Sequence, residues 1–248
     1  MAFVFEELDN QESPIGNISL RRRSDPRLGG KILFEVKLGE EFLMSSLFTE
    51  AEIQLSKLGI AALAAAGFED QLDIIVGGLG LGYTAAAALE YSSVRSLIVI
   101  DVMEAVISWH QCGLVPLGNT LTSDPRCTLF HGDFFAIATA DQCGFNMAQP
   151  EQLAHAVLLD IDHSPSEWLN PQNKRFYTAA ALQSLSDKLH PGGIFGLWSN
   201  DPPDDNFMAL LDSVFESSEA QRVFFPNPYK GGESSNTVYL AHKNLISA

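Results

Sequence analysis

The sequence predicts an α/β protein on a largely parallel sheet, and three observations carry that reading. Residues 72–76 form a nearly continuous apolar run that enters the turn Gly77-Gly78-Leu79-Gly80-Leu81-Gly82 and then a helix, the pattern of a nucleotide-binding βαβ unit. Apolar runs of strand length alternate with helical patterns as far as residue 217. The last two runs, 220–225 and 236–242, are linked by a turn-rich loop with no helix, so they pair antiparallel.

Residues 15–23 and 31–38 read as two strands joined by a turn containing Asp25-Pro26 and Gly29-Gly30, with 41–45 as a third short strand. This β-hairpin extension, residues 1–47, is too small to stand alone. It is expected to pack on the main domain, residues 48–248, or on a partner subunit. From Thr49 the apolar spacing turns helical and runs to near Gly67. After the glycine turn, residues 84–91 form a helix and 97–101 a strand closed by Asp101. Residues 127–131 read as a strand, 134–140 as a helix and 154–160 as a strand. Residues 172–189 read as one long helix, stopped by the turn His190-Pro191-Gly192-Gly193. A strand at 194–198 and a helix at 204–217 follow. The sum is a Rossmann-like seven-stranded methyltransferase sheet with a reversed last strand, plus a small N-terminal β-hairpin.

Composition narrows the function. A net charge of −16 over 248 residues opposes phosphate backbones and argues against nucleic-acid binding. It suits a cationic substrate. No apolar run approaches the roughly 20 residues that cross a bilayer, and residues 1–14 lack the basic-then-apolar pattern of a signal peptide. Cys112, Cys127 and Cys143 show no paired spacing, which argues against a disulfide framework or a zinc site. A cytoplasmic protein without a membrane anchor or metal is expected.

Ligands on such sheets bind beyond the carboxyl ends of the strands. Gly78, Gly80 and Gly82 form G-x-G-x-G, and Tyr83 stands where a dinucleotide fingerprint needs its last small residue. That spacing argues against NAD and FAD and for an S-adenosylmethionine-type nucleoside. Asp101 is placed to accept hydrogen bonds from both ribose hydroxyls. Asp133 can accept from an adenine amino group or cap the next helix, with Phe134 or Phe135 against the ring. Asp160, on the fourth strand end, is the candidate acid–base group, with Asp162 or His163 to orient a substrate. A turn-shaping role for Asp162 and Ser164 is the plainer alternative. Trp198 can wall an apolar pocket, and Trp109 and His110 read as packing residues.

With these residues in place, the chain resembles the spermidine synthase family, the aminopropyltransferases, over residues 33–240. The resemblance rests on the order of elements, the glycine loop, the strand-end acids, Phe176-Tyr177 and the Pro-Gly-Gly turn. It implies that Gly78, Gly80, Gly82, Asp101 and Asp133 hold a nucleoside donor, and that Asp160 is the catalytic acid–base group. It also implies a homodimer. The chain departs from the family at three places. Gly80 stands where the family's G-G-G-D-G-G loop carries an aspartate that helps hold the donor's aminopropyl amine. The family's D-x-x-D-P is Asp160-Ile161-Asp162-His163-Ser164-Pro165 here. Phe48-Thr49-Glu50-Ala51-Glu52 replaces a Tyr-His-Glu stretch.

The expected function is therefore transfer of an alkyl group, methyl or aminopropyl, to a small cationic amine acceptor. The donor is S-adenosylmethionine or its decarboxylated form, and Gly80 tips the expectation toward the former. The alternative is a non-catalytic protein that keeps the fold and the nucleoside but binds a partner, with Arg21-Arg22-Arg23 as the contact.

Overall fold

The computed structural model describes residues 4–142, 144–146 and 148–245, which leaves Cys143 outside the described residues. The N-terminal part is a four-stranded antiparallel sheet in chain order: β1 (Phe5–Ser13), β2 (Gly16–Asp25), β3 (Lys31–Leu38) and β4 (Glu41–Ser45). The sequence reading had no β1, because FEELDNQES is acidic and lacks apolar alternation. Pairing with the arginines of β2 holds this edge strand instead: Glu6 lies opposite Arg22 and accepts its hydrogen bond at 2.5 Å. A register break between Glu7 and Asp9 accompanies Leu8's packing against the core.

On the other face of β2, Arg21 and Arg23 both donate to Glu35, at 2.6 and 2.8 Å, and Glu35 is buried. The three arginines are thus paired within the sheet. The apolar face of this sheet, Ile18, Leu20, Val36 and Leu38, joins the same core as the helix that follows, α1 (Glu50–Ala65).

The main sheet has the expected seven strands. They are β5 (Leu72–Gly77), β6 (Val94–Asp101), β7 (Cys127–His131), β8 (Ala154–Leu159), β9 (Leu189–Ser199), β10 (Ser217–Pro226) and β11 (Glu233–His242). Their spatial order is β10-β11-β9-β8-β5-β6-β7, with β5 to β9 parallel and β11 antiparallel to both its neighbours. The reversed last strand lies inside the sheet, between β9 and β10. Alternation along the strands divides the core between the two faces: Ile74 and Val76 pack with α1 and the N-terminal sheet, Ile75 with the opposite layer.

The helices after β5 are α2 (Tyr83–Leu89), α3 (Glu104–Gln111), α4 (Gly118–Ser123), α5 (Phe134–Ala138), α6 (Ala179–Asp187) and α7 (Asp205–Asp212). The long helix expected over 172–189 is broken in two. A 3-10 turn, Pro171–Phe176, ends at Tyr177, and α6 begins afresh after Thr178, which is extended and caps Ala181 N–H with its hydroxyl. The His-Pro-Gly-Gly stretch lies within β9 and does not precede it. Ala154 pairs with Leu189 and Ala156 with Ile194, so the four residues bulge out of the register. Among the described residues, no helix is long and apolar enough to cross a membrane.

Candidate active site

Beyond the carboxyl ends of the parallel strands, walled on one side by the N-terminal sheet, lies a cleft of about 880 Å³. The turn after β5 opens it. Gly78 has φ +95°, and a Cβ there would fall 2.1 Å from the Asp160 carbonyl oxygen, so only glycine lets β5 and β8 end side by side. Gly78 and Gly80 line the cleft. Gly82 does not: it precedes α2 and packs on His110 and Leu121. His110 is buried, which pushes its pKa down, and its Nε2–H donates to the Gly80 carbonyl at 3.0 Å. Met44 of β4 reaches the same loop, its sulfur accepting from Leu81 N–H at 3.1 Å.

Asp101 ends β6 with both carboxylate oxygens already engaged. Leu79 N–H donates to Oδ2 at 2.8 Å and Met103 N–H to Oδ1 at 2.7 Å. The carboxylate is therefore fixed on the glycine loop. Burial raises its pKa and these backbone bonds oppose the rise. Asp133 caps α5 through Ala136 N–H at 3.1 Å and lines the cleft. Phe134 reaches the cleft wall, but its ring is 2 % exposed and stacks on Phe145 with centroids 5.8 Å apart. Phe135 is the half-buried neighbour on the same wall.

Asp160 follows β8, held by its own N–H to the Gly77 carbonyl at 2.7 Å, and lines the cleft. Its Oδ2 accepts from the Thr84 hydroxyl at 2.7 Å. Burial pushes its pKa up, with the Thr84 bond pulling the other way. His163 also lines the cleft, with Nε2 2.7 Å from Glu41 Oε1 of β4, so it ties the N-terminal sheet to the main domain.

Asp162 stands apart from these residues. It is 3 % exposed, is not among the cleft residues, and spends its carboxylate on Leu169 N–H, Asn173 and Tyr177 at 2.8 to 2.9 Å. The chain leaves β8 after Leu159, so the two-residue period that would keep positions 160 and 162 on one face no longer holds, and the turn sends the second acid inward, where it organises the loop.

Sequence reasoning missed one cleft acid, Glu52. It sits in the first turn of α1, is buried, and faces the cleft with Asp160. Burial and the Asp160 charge both raise its pKa. The signal was present: residues 52, 56, 59 and 63 share one buried stripe of α1, and an acid on such a stripe is unusual.

No protein-family model matches the chain. Solved structures do. A spermidine synthase in complex with the transition-state analogue AdoDATO superposes with a TM-score of 0.72 at 16% identity, over 97% of this chain and 74% of that one. The Thermotoga maritima spermidine synthase gives 0.69 at 15%, over 97% and 73%. The fold is that of the spermidine synthases. A probable spermidine synthase from Corynebacterium glutamicum ATCC 13032 gives 0.62 at 17% identity, covering 94% of this chain and 79% of its own. The spermidine synthase fold thus accounts for both sheets of the molecule.

Proposed function

We propose that this chain transfers an alkyl group from a sulfonium nucleoside, S-adenosylmethionine or its decarboxylated form, to an amine. The observation that carries the reading is that Asp101, Asp133 and Asp160, from three different strand ends, open onto one cleft. That cleft is large enough for a nucleoside and a small second substrate. Asp101 is the ribose group, already oriented by two amides, and Asp133 serves the base. The similar spermidine synthase held with AdoDATO supports reading this cleft as the transfer site.

The sulfonium carbon is electrophilic on its own. The amine lone pair forms the new N–C bond as the C–S bond breaks, and the bonding electrons leave on sulfur as a neutral thioether. The extra proton on the alkylated nitrogen passes to Asp160, whose raised proton affinity suits a base working near neutrality. Alignment in the cleft supplies most of the remaining rate. Asp160→Asn is expected to leave 5′-methylthioadenosine binding within about twofold and to cut turnover by roughly 10²–10⁴. Calorimetry and mass-spectrometric detection of the alkylated amine measure the two. Unchanged turnover removes Asp160 from the mechanism.

A second reading, a non-catalytic protein retaining the fold, draws on Met44, whose sulfur already takes the Leu81 amide of the glycine loop. It is favoured if neither donor binds at millimolar concentration. Its original contact, the arginine run on β2, is engaged internally.

A further inference from the structure

The strand-end acids of the cleft lie on one side of it. Asp101 ends β6, Asp133 follows β7 and Asp160 follows β8. Glu52 enters from α1, within electrostatic reach of Asp160 and of Tyr83 at the start of α2. Beyond β8 the sheet continues through β9, β11 and β10, which adds about 14 Å of floor at the usual strand spacing. With the nucleoside at Asp101 and Asp133, a second substrate that reaches Asp160 extends over these three strands.

The chemistry of that lobe differs from the rest. Among the described residues, β9, β10, β11 and the loops at their ends bring no carboxylate to the cleft lining; Asp201 and Glu233 adjoin lining residues in sequence but are not part of it. The polar side chains there are spent on the protein itself. Asn236 donates to Asn200 at 3.1 Å, Asn227 to the Ser234 hydroxyl at 2.8 Å, and the Tyr229 hydroxyl to Asp25 at 2.8 Å. On the loop after β8, Asn173 gives its amide to Asp162 at 2.8 Å. Trp198 lines the cleft half-buried, yet its indole N–H is sealed and without a partner, so the cleft meets ring carbon. Phe225 lies 5.5 Å from Phe48 between ring centroids, and Ile18, Val36 and Ile161 add to the apolar wall. Lys230, exposed on the loop between β10 and β11, brings a positive charge.

We propose that the acceptor is a primary amine with a single nitrogen and an uncharged, apolar chain. The proposal rests on the transferase reading of this cleft and names its acceptor. The amine meets the donor in its neutral form. Its lone pair makes the N–C bond as the C–S bond breaks, and Asp160 takes the proton. The chain then lies on Trp198, Phe225 and Phe48, where its burial is favourable. A second ammonium at the far end of that chain would leave water for ring carbon and for amides already engaged, with Lys230 repelling it. A diamine is therefore a poor acceptor here, although the molecule as a whole attracts cations.

The test compares n-heptylamine, hexane-1,6-diamine and 6-aminohexanoate, three amines of similar length that differ in the charge at the far end. Each is offered to the whole protein with S-adenosylmethionine and, separately, with its decarboxylated form, and the alkylated product is followed by mass spectrometry. Heptylamine should show a kcat/KM roughly 10–100-fold above that of the diamine. Asn236→Asp places a carboxylate of nearly the same shape in the lobe, where the Asn200 amide can turn to donate to it. The preference for heptylamine over the diamine should shrink severalfold in this variant, with 5′-methylthioadenosine binding by calorimetry as the check that it is folded. A diamine used as well as heptylamine, a preference for 6-aminohexanoate, or a ratio unmoved in Asn236→Asp overturns the proposal and leaves the transferase reading standing. Alkylation of no amine with either donor overturns both.

Discussion

At Asp160 one hydrogen bond works against burial. The Thr84 hydroxyl favours the ionised carboxylate, so Thr84→Val should raise the Asp160 pKa further. The acidic limb of the pH–rate profile should then move to higher pH, measured as kcat/KM against pH. Glu52 makes the complementary case for stability. Its folded pKa lies above the unfolded one, so the folded state holds more protons between the two, and stability falls as pH rises through that window. Glu52→Gln removes the cost. Its Tm should exceed that of the parent by at least roughly 2–4 °C at pH 8 and match it at pH 4, below both values. Asp101, Asp133 and Asp160 were legible in the sequence because each lies at or within two residues of the end of a strand run. Glu52 was not, because an acid in a helix's first turn has an ordinary electrostatic reason to be there. Asp162 is less legible because strand periodicity ends at Leu159, and beyond it only the loop's packing and hydrogen bonds decide which acid faces the cleft.

Elements were legible where burial dictated their pattern and obscure where polar contacts did. The parallel strands announced themselves as apolar runs, whereas β1 is held by cross-strand charge and by Asp9 accepting the Trp109 indole N–H at 2.6 Å. No periodicity reports such a partner. The same holds for the break before α6, where the Tyr177 hydroxyl is drawn to Asp162 at 2.9 Å. The loop between β10 and β11 is fastened in this way too. The Tyr229 hydroxyl donates to Asp25 at 2.8 Å and accepts from Arg23 at 3.2 Å, while Arg27 lies 4.1 Å from the ring centroid. Tyr229 and Lys230 line the cleft, and Gly231 and Gly232 follow with positive φ. Tyr229→Phe keeps the ring and loses both hydrogen bonds. Proteolysis at 230–233 should accelerate severalfold and Tm should fall by roughly 2–4 °C, read by limited digestion and thermal melting.

The whole molecule carries a net charge of −16, and the cleft concentrates four carboxylates, Glu52, Asp101, Asp133 and Asp160. Such a field draws in cations, and salt screens it over about 10 Å at 0.1 M. Affinity for the decarboxylated donor should therefore drop severalfold between low and high sodium chloride, while 5′-methylthioadenosine binding stays level, both followed by calorimetry. The seven-strand sheet itself was readable from the helix-free final pair. The place of its reversed strand was not, because nothing local in 233–242 says which neighbour it takes. That place has a consequence for synthesis. The chain makes β10 before β11, yet β10 touches the sheet only through β11. While the ribosome is still building residues 227–242, the free edge of β9 and the aromatic pair Phe224-Phe225 both wait in the open, so a stalled nascent chain would present an adhesive border to its neighbours.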